Sequence, residues 1–225
     1  MFAVSIADVG HAEPPRAELV AGWSGNAEHG YGHLTLQPAV ARAPRASVVV
    51  RGTLSRSWWG GEAGRIDAST ATVGPALVWA PGPWVLSMGV GFGMRRTTTV
   101  DRGEPPTIGG DAQLSGACAW RPSGRFELVG TGTFDAVQSY LWTRAGATAS
   151  VVGRPDGPVS VRAGLEWTDS GGWTGRDREL GPVAEVPLRA LHTVVAVRAG
   201  FPTRSLVRAD LATGRSLGLA LYSAW

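Results

Sequence analysis

Large apolar and small or polar side chains alternate one by one along most of this chain. Such a period of two marks β-strands with two unlike faces. In PWVLSMGVGFGMRR, residues 83–96, Leu86, Met88, Val90, Phe92 and Met94 share one face, and Ser87, Gly89, Gly91, Gly93 and Arg95 share the other. RFELVGTGTFDA (125–136) and PVSVRAGLEWT (158–168) repeat the pattern. So does RSLGLALYSAW (215–225), where Leu217, Leu219, Leu221, Ser223 and Trp225 oppose Gly218, Ala220, Tyr222 and Ala224. No segment sustains a helical period. The alternation predicts twelve strands, at roughly 17–26, 32–42, 46–58, 69–80, 84–98, 108–120, 125–137, 140–153, 159–169, 178–189, 193–203 and 214–225.

The connections read as tight and long in turn. APR (43–45), PGP (81–83), RPSG (121–124), RPDGP (154–158) and the segment around Ala190–His192 are tight. NAEHGY, WGGEAGRIDA, TVDRGEPPT, DSGGWTGRDR and PTRSLVRADLATG are long, and only the short connection near Ser139 departs from the scheme. An even strand number with short turns at one end and longer loops at the other predicts an all-β fold, a transmembrane antiparallel up-and-down β-barrel with periplasmic termini. Residues 1–15 are set apart as an N-terminal tail or the remnant of a signal peptide, which leaves 16–225 for the barrel.

Tryptophan placement supports two membrane interfaces. Trp79, Trp84, Trp120 and Trp225 fall at the short-turn ends, and Trp58, Trp59, Trp142 and Trp167 at the long-loop ends, as aromatic girdles do. Trp173 falls in a loop, and Trp23 fits neither belt.

Composition then narrows the classes. Charged residues are only 17% against 44% hydrophobic, and 32 glycines are spread through the strands. All 21 basic residues are arginine, the net charge is +3, and no run of five or more basic residues exists, which argues against a nucleic-acid partner. Cys118 is the only cysteine, so no disulfide framework or cysteine zinc site is expected. No cofactor or metal site is expected.

If the greasy faces meet lipid, the remaining faces meet the lumen. They carry Arg51, Arg95, Arg144, Arg162 and Arg198 with Glu18, Asp111, Glu127, Asp135, Glu166, Glu179 and Glu185. Charges at membrane depth must pair or meet water. Two readings stay open: a salt-bridged, filled interior, and a polar path in which arginine guides an anionic or sugar solute. The lumen-lining candidates are Arg51, Arg95, Glu127, Arg144, Arg162, Glu166, Glu185 and Arg198.

Catalytic chemistry finds little footing. The histidines are His11, His29, His33 and His192, and His33 has a Ser or Thr hydroxyl two residues away on its own strand face, that of Thr35. No Walker, HExxH or GxSxG motif occurs, and GVGFG is followed by no helix signal. No catalytic residue is assigned. An outer-membrane hydrolase using His33 or lumenal carboxylates is kept as an alternative, and a soluble all-β binding module as another. The last predicts that the Leu86/Met88/Val90/Phe92/Met94 face is buried against protein.

Across residues 17–225 the chain resembles Gram-negative outer-membrane β-barrels. An aromatic last residue after alternate hydrophobics resembles the C-terminal signature by which such barrels reach the barrel assembly machinery. Leu217, Leu219, Leu221 and Trp225 match it, and Ser223 departs from it. Within that class, VAGWSG, DRGEPPTIGGDAQLSG, FDAVQSYLWTRAG and RELGPVAEVPL followed by VVAVRAG resemble the cellulose biosynthesis protein BcsS family. That resemblance implies an accessory role in exporting or anchoring a polysaccharide and carries no catalytic residues over. The expected function is thus a non-enzymatic outer-membrane barrel, a channel or an accessory in polysaccharide export. Its expected partners are outer-membrane lipid, the assembly machinery, and a polysaccharide or small solute.

Overall fold

In the computed structural model twelve antiparallel strands close into one barrel. The structure describes residues 15–26, 29–61, 64–102, 104–153, 160–172, 175–203 and 215–225. The N-terminal tail up to residue 14, the turn RPDGP, Trp173 and most of PTRSLVRADLATG lie outside the described residues.

The strands are β1 (Ala17–Gly25), β2 (His29–Ala43), β3 (Ala46–Gly61), β4 (Gly64–Trp79), β5 (Trp84–Thr99), β6 (Thr107–Ser123), β7 (Phe126–Asp135), β8 (Tyr140–Val152), β9 (Val161–Gly172), β10 (Gly175–Leu188), β11 (Thr193–Pro202) and β12 (Ser216–Ala224). Two single-turn 3₁₀ segments, Val100–Arg102 and Arg189–Leu191, interrupt the described connections. Every strand pairs with its sequence neighbours. The last pairs with the first in a register running from Glu18↔Ala224 to Gly25↔Leu217. Backbone bonds between Trp225 and Arg16 and Ala17 complete the seam.

The expected long loops differ from those observed. Most of WGGEAGRIDA and DSGGWTGRDR is strand, because β3–β4 and β9–β10 stay paired up to Gly61↔Gly64 and Gly172↔Gly175. Their glycines and charges read as loop in sequence, yet the ladder carries them as hairpin extensions. Strands of 16 residues exceed the ~10 needed to cross a bilayer. On β3 the outward aliphatic residues run from Val48 to Leu54, next to the short turn, with Trp58 beyond them, so the surplus projects from the opposite end. That asymmetry fits short periplasmic turns and taller extracellular hairpins.

The faces divide as the alternation requires. Phe92 is 62% and Leu217 61% exposed on the outside, whereas inward Val20 is 1% exposed. Met88, Phe92 and Met94 are thus not covered by protein, which overturns the soluble-module expectation. A sheet that is greasy all round its outside needs an apolar solvent. Inside, Val49, Ala76, Val78, Val85 and Ala119 form a small apolar cluster near the short-turn end of β3–β6.

Glycine sets the curvature where strands crowd. A Cβ on inward-facing Gly181 would run into the carbonyl of Ala199 on β11. Gly109, at the open rim of β6, has nothing within 4 Å of such a Cβ. Gly181→Ala is therefore expected to destabilise the refolded barrel by about 1–3 kcal/mol, the usual cost of overpacking. Gly109→Ala should leave urea unfolding in detergent micelles nearly unchanged.

Candidate functional site

The inner face is a set of arginine-centred clusters. Around Arg51 on β3, Nε donates to Gln37 Oε1 at 2.8 Å, Nη1 to Ser115 Oγ at 2.7 Å and Nη2 to Ser87 Oγ at 2.7 Å. Gln37 in turn donates to Glu18. One chain of side chains thus links β1, β2, β3, β5 and β6. Arg51 and Ser115 stand three strands apart, so their contact passes through the interior. The glycines at 74 and 89 clear its course: Gly74 pairs with Arg51, and a Cβ on Gly89 would lie 3.2 Å from Arg51 Nη1.

A second chain links β6 to β10. Arg121 donates Nε and Nη2 to Glu127 Oε1 at 2.9 and 2.6 Å. The other oxygen of Glu127 pairs with Arg162, which reaches Glu185 at 3.5 Å. A third joins β8, β9 and β11. Glu166 takes Arg144 Nε at 2.5 Å on one oxygen and Arg198 Nη1 at 2.6 Å on the other. Nearby, Ser216 donates to Glu179 at 2.8 Å.

The fourth cluster ties the interior to a turn. Arg95 pairs with Asp135 and lies 3.7 Å from Asp111, which also accepts a hydrogen bond from Gln113 at 3.0 Å. The second oxygen of Asp135 accepts the backbone N–H groups of Val137 and Gln138 at 3.0 and 2.9 Å. That is an Asx-type closure. With Ser139 in the left-handed region at φ 51°, it closes the β7–β8 connection between Asp135 and Tyr140.

All eight lumen-lining candidates make these interior contacts. Arg121 was not among them, because RPSG reads as a turn. Its signal was parity, since it continues the Ser115, Ala117, Ala119 face of β6. Gln37, Ser87 and Ser115 were also missed, being neutral residues whose role depends on strand register.

The histidine candidate resolves differently. His33 is buried, stacks on Tyr31 at 5.6 Å, and lies over Gly22, whose added Cβ would sit 2.6 Å from its Cε1. The hydroxyl of Thr35 instead bonds to that of Thr53 at 3.0 Å. The His33–Thr35 pairing needed for nucleophilic catalysis is not formed. Among the described residues, no group of three or more His, Cys, Asp or Glu is placed to hold a metal ion.

The girdle needs correcting at two positions. Adjacent strand residues cannot share a face, so Trp59 lies on the inner face while Trp58 lies outside over Gly30. Trp142 shares the inner face of β8 with Arg144. Trp58, Trp79, Trp84, Trp120 and Trp167 face out, with Trp84 and Trp120 packed at 5.8 Å near the short turns. Trp225 is exposed beyond the end of β12. Trp23, assigned to neither belt, also faces out.

Comparison with known proteins finds the same architecture without a close relative. No family model matches the chain, and no curated protein matches it, so the BcsS resemblance gains no support there. A chain solved in a study of the in-meso crystallization of membrane proteins is similar over 93% of this chain and 83% of its own, at 9% identity and TM-score 0.53. CdiB from Escherichia coli is similar over 88% of this chain and 45% of its own, at 12% identity and TM-score 0.53. The beta domain of the Bordetella autotransporter BrkA aligns over 95% of this chain and 100% of its own, at 14% identity and TM-score 0.48. The structural neighbours are bacterial outer-membrane β-barrels. At these identities the likeness is one of fold.

Glu166 is the point on which two guanidiniums depend. Glu166→Gln removes their shared counter-charge and is expected to cost about 3–5 kcal/mol, as when one partner of a buried ion pair is lost. Glu179→Gln, whose partner is a serine, should cost about 1 kcal/mol. Denaturant unfolding of the refolded variants measures both.

Proposed function

We propose that the chain is a non-enzymatic barrel of the outer membrane of a Gram-negative bacterium, whose interior is a narrow polar channel. One observation carries this reading: inward arginine side chains lie against glycines and are held by fixed partners on other strands. Arg51 lies beside Gly89, and a Cβ on Gly218 would collide with the stem of Arg198. The wall therefore offers fixed donors and acceptors of both signs, a lining suited to a polar solute that exchanges its hydration for protein contacts. Near-balance of arginine and carboxylate favours weak selectivity by charge. The sequence resemblance to the BcsS family supports an extended sugar polymer as the solute and an accessory place in its export. The outward Leu217, Leu219 and Leu221 of β12 support recognition by the barrel assembly machinery.

A second reading has its own support. Glu127 and Glu166 are 3% and 5% exposed, as befits an interior filled by ion pairs and serving as a scaffold.

Planar-bilayer conductance of the detergent-refolded protein separates the two, with a heated/unheated gel shift as the folding control. The channel reading expects small, discrete current steps that grow in the Arg51→Ala/Arg162→Ala double variant. A protein that shifts on heating but stays silent, with and without these changes, would be a scaffold.

A further inference from the structure

One cluster of charge on the outer face, on β3–β5, is not explained by the interior. On β3 the outward residues Val48, Val50 and Leu54 are followed by Arg56. On β5, Met88, Val90, Phe92 and Met94 are followed by Arg96. Ser69 of β4 pairs with both arginines in register, giving a row Arg56–Ser69–Arg96. The next row toward the short turns is Leu54–Ala71–Met94 and is wholly apolar. The edge between greasy and charged surface thus falls between two adjacent rows.

Beside this row, Arg65 lies 5.9 Å over the ring of Trp58 and 3.1 Å from Asp67, which also takes Arg56 at 2.7 Å. Two guanidiniums, those of Arg56 and Arg65, share this carboxylate. Arg56 and Arg65 remain more than half exposed, and Arg96 has no ion-pair partner among the described residues. One strand, β4, separates Arg56 from Arg96, so their backbones stand two inter-strand spacings, roughly 10 Å, apart with only Ser69 between. Two arginine side chains reaching inward from that spacing can grip one tetrahedral anion from both sides, each with a forked pair of donors.

An anion held there would sit at the upper margin of the apolar band, on the side where the hairpins project. Its own apolar part would lie against Leu54, Phe92 and Met94. We propose that the outer face of β3–β5 binds the phosphorylated head group of an outer-leaflet lipid through Arg56 and Arg96, with Ser69 between them. The inference rests on the barrel's place in the outer membrane and not on what its interior carries.

The test is native mass spectrometry of the detergent-refolded full chain with lipid A carrying both phosphates and with the same lipid after phosphate removal. Wild type is expected to retain the phosphorylated lipid at least ten-fold better than the dephosphorylated one. Arg56→Gln/Arg96→Gln is expected to lose that preference while keeping its heat-shifted gel mobility. Equal retention of the two lipids by wild type would overturn the proposal, and this comparison needs no variant to fold. Full displacement by inorganic phosphate would also overturn it, by assigning the site to the free ion.

Discussion

The hydrogen-bonded seam between β1 and β12 is the constraint on which the rest of this molecule depends. In hydrocarbon an unpaired backbone N–H or C=O has no water to turn to, and each would cost several kcal/mol. Pairing from Glu18↔Ala224 to Gly25↔Leu217 removes the two edges at once. Closure also creates an inside. Without it, the small and charged face of every strand would meet the same lipid as the leucine face. With it, the chain can place ionised groups at membrane depth.

Charge in that interior is tolerable because it is shared. Glu127 and Glu166 each serve two arginines, one per oxygen, and Asp135 divides itself between Arg95 and two backbone N–H groups. A guanidinium has five donors in a fixed plane, so it can satisfy partners on separate strands as Arg51 does. Glycine makes the geometry feasible. Where an inward residue lacks a Cβ, a neighbouring side chain can lie against the backbone, and strands can approach where the wall bends. The many glycines thus serve curvature and lining together.

Much of this could be read from the sequence. Strand number, the two faces and most strand boundaries follow from period-two alternation, which is local. The hairpin tips did not follow, because WGGEAGRIDA has no apolar face to betray a strand that stands outside the membrane. Charged inner residues were identifiable by parity, but their partners were not. Arg51 bonds to Ser87 and Ser115, residues 36 and 64 positions away, through a register no local pattern encodes. Likewise Trp58 and Trp59 are equivalent as composition and opposite as geometry.

The seam has a further meaning for how the molecule comes into being. It joins residues about two hundred positions apart, while every other pairing in the barrel is between chain neighbours. Local hairpins can form early, but the last contact must pay the loop-closure entropy of nearly the whole chain. Until then a partly zipped sheet has two open edges and a continuous greasy face, the combination most prone to pair with the wrong strand. Because so much loop-closure entropy falls on this one pairing, closing the seam is the slow step of assembly.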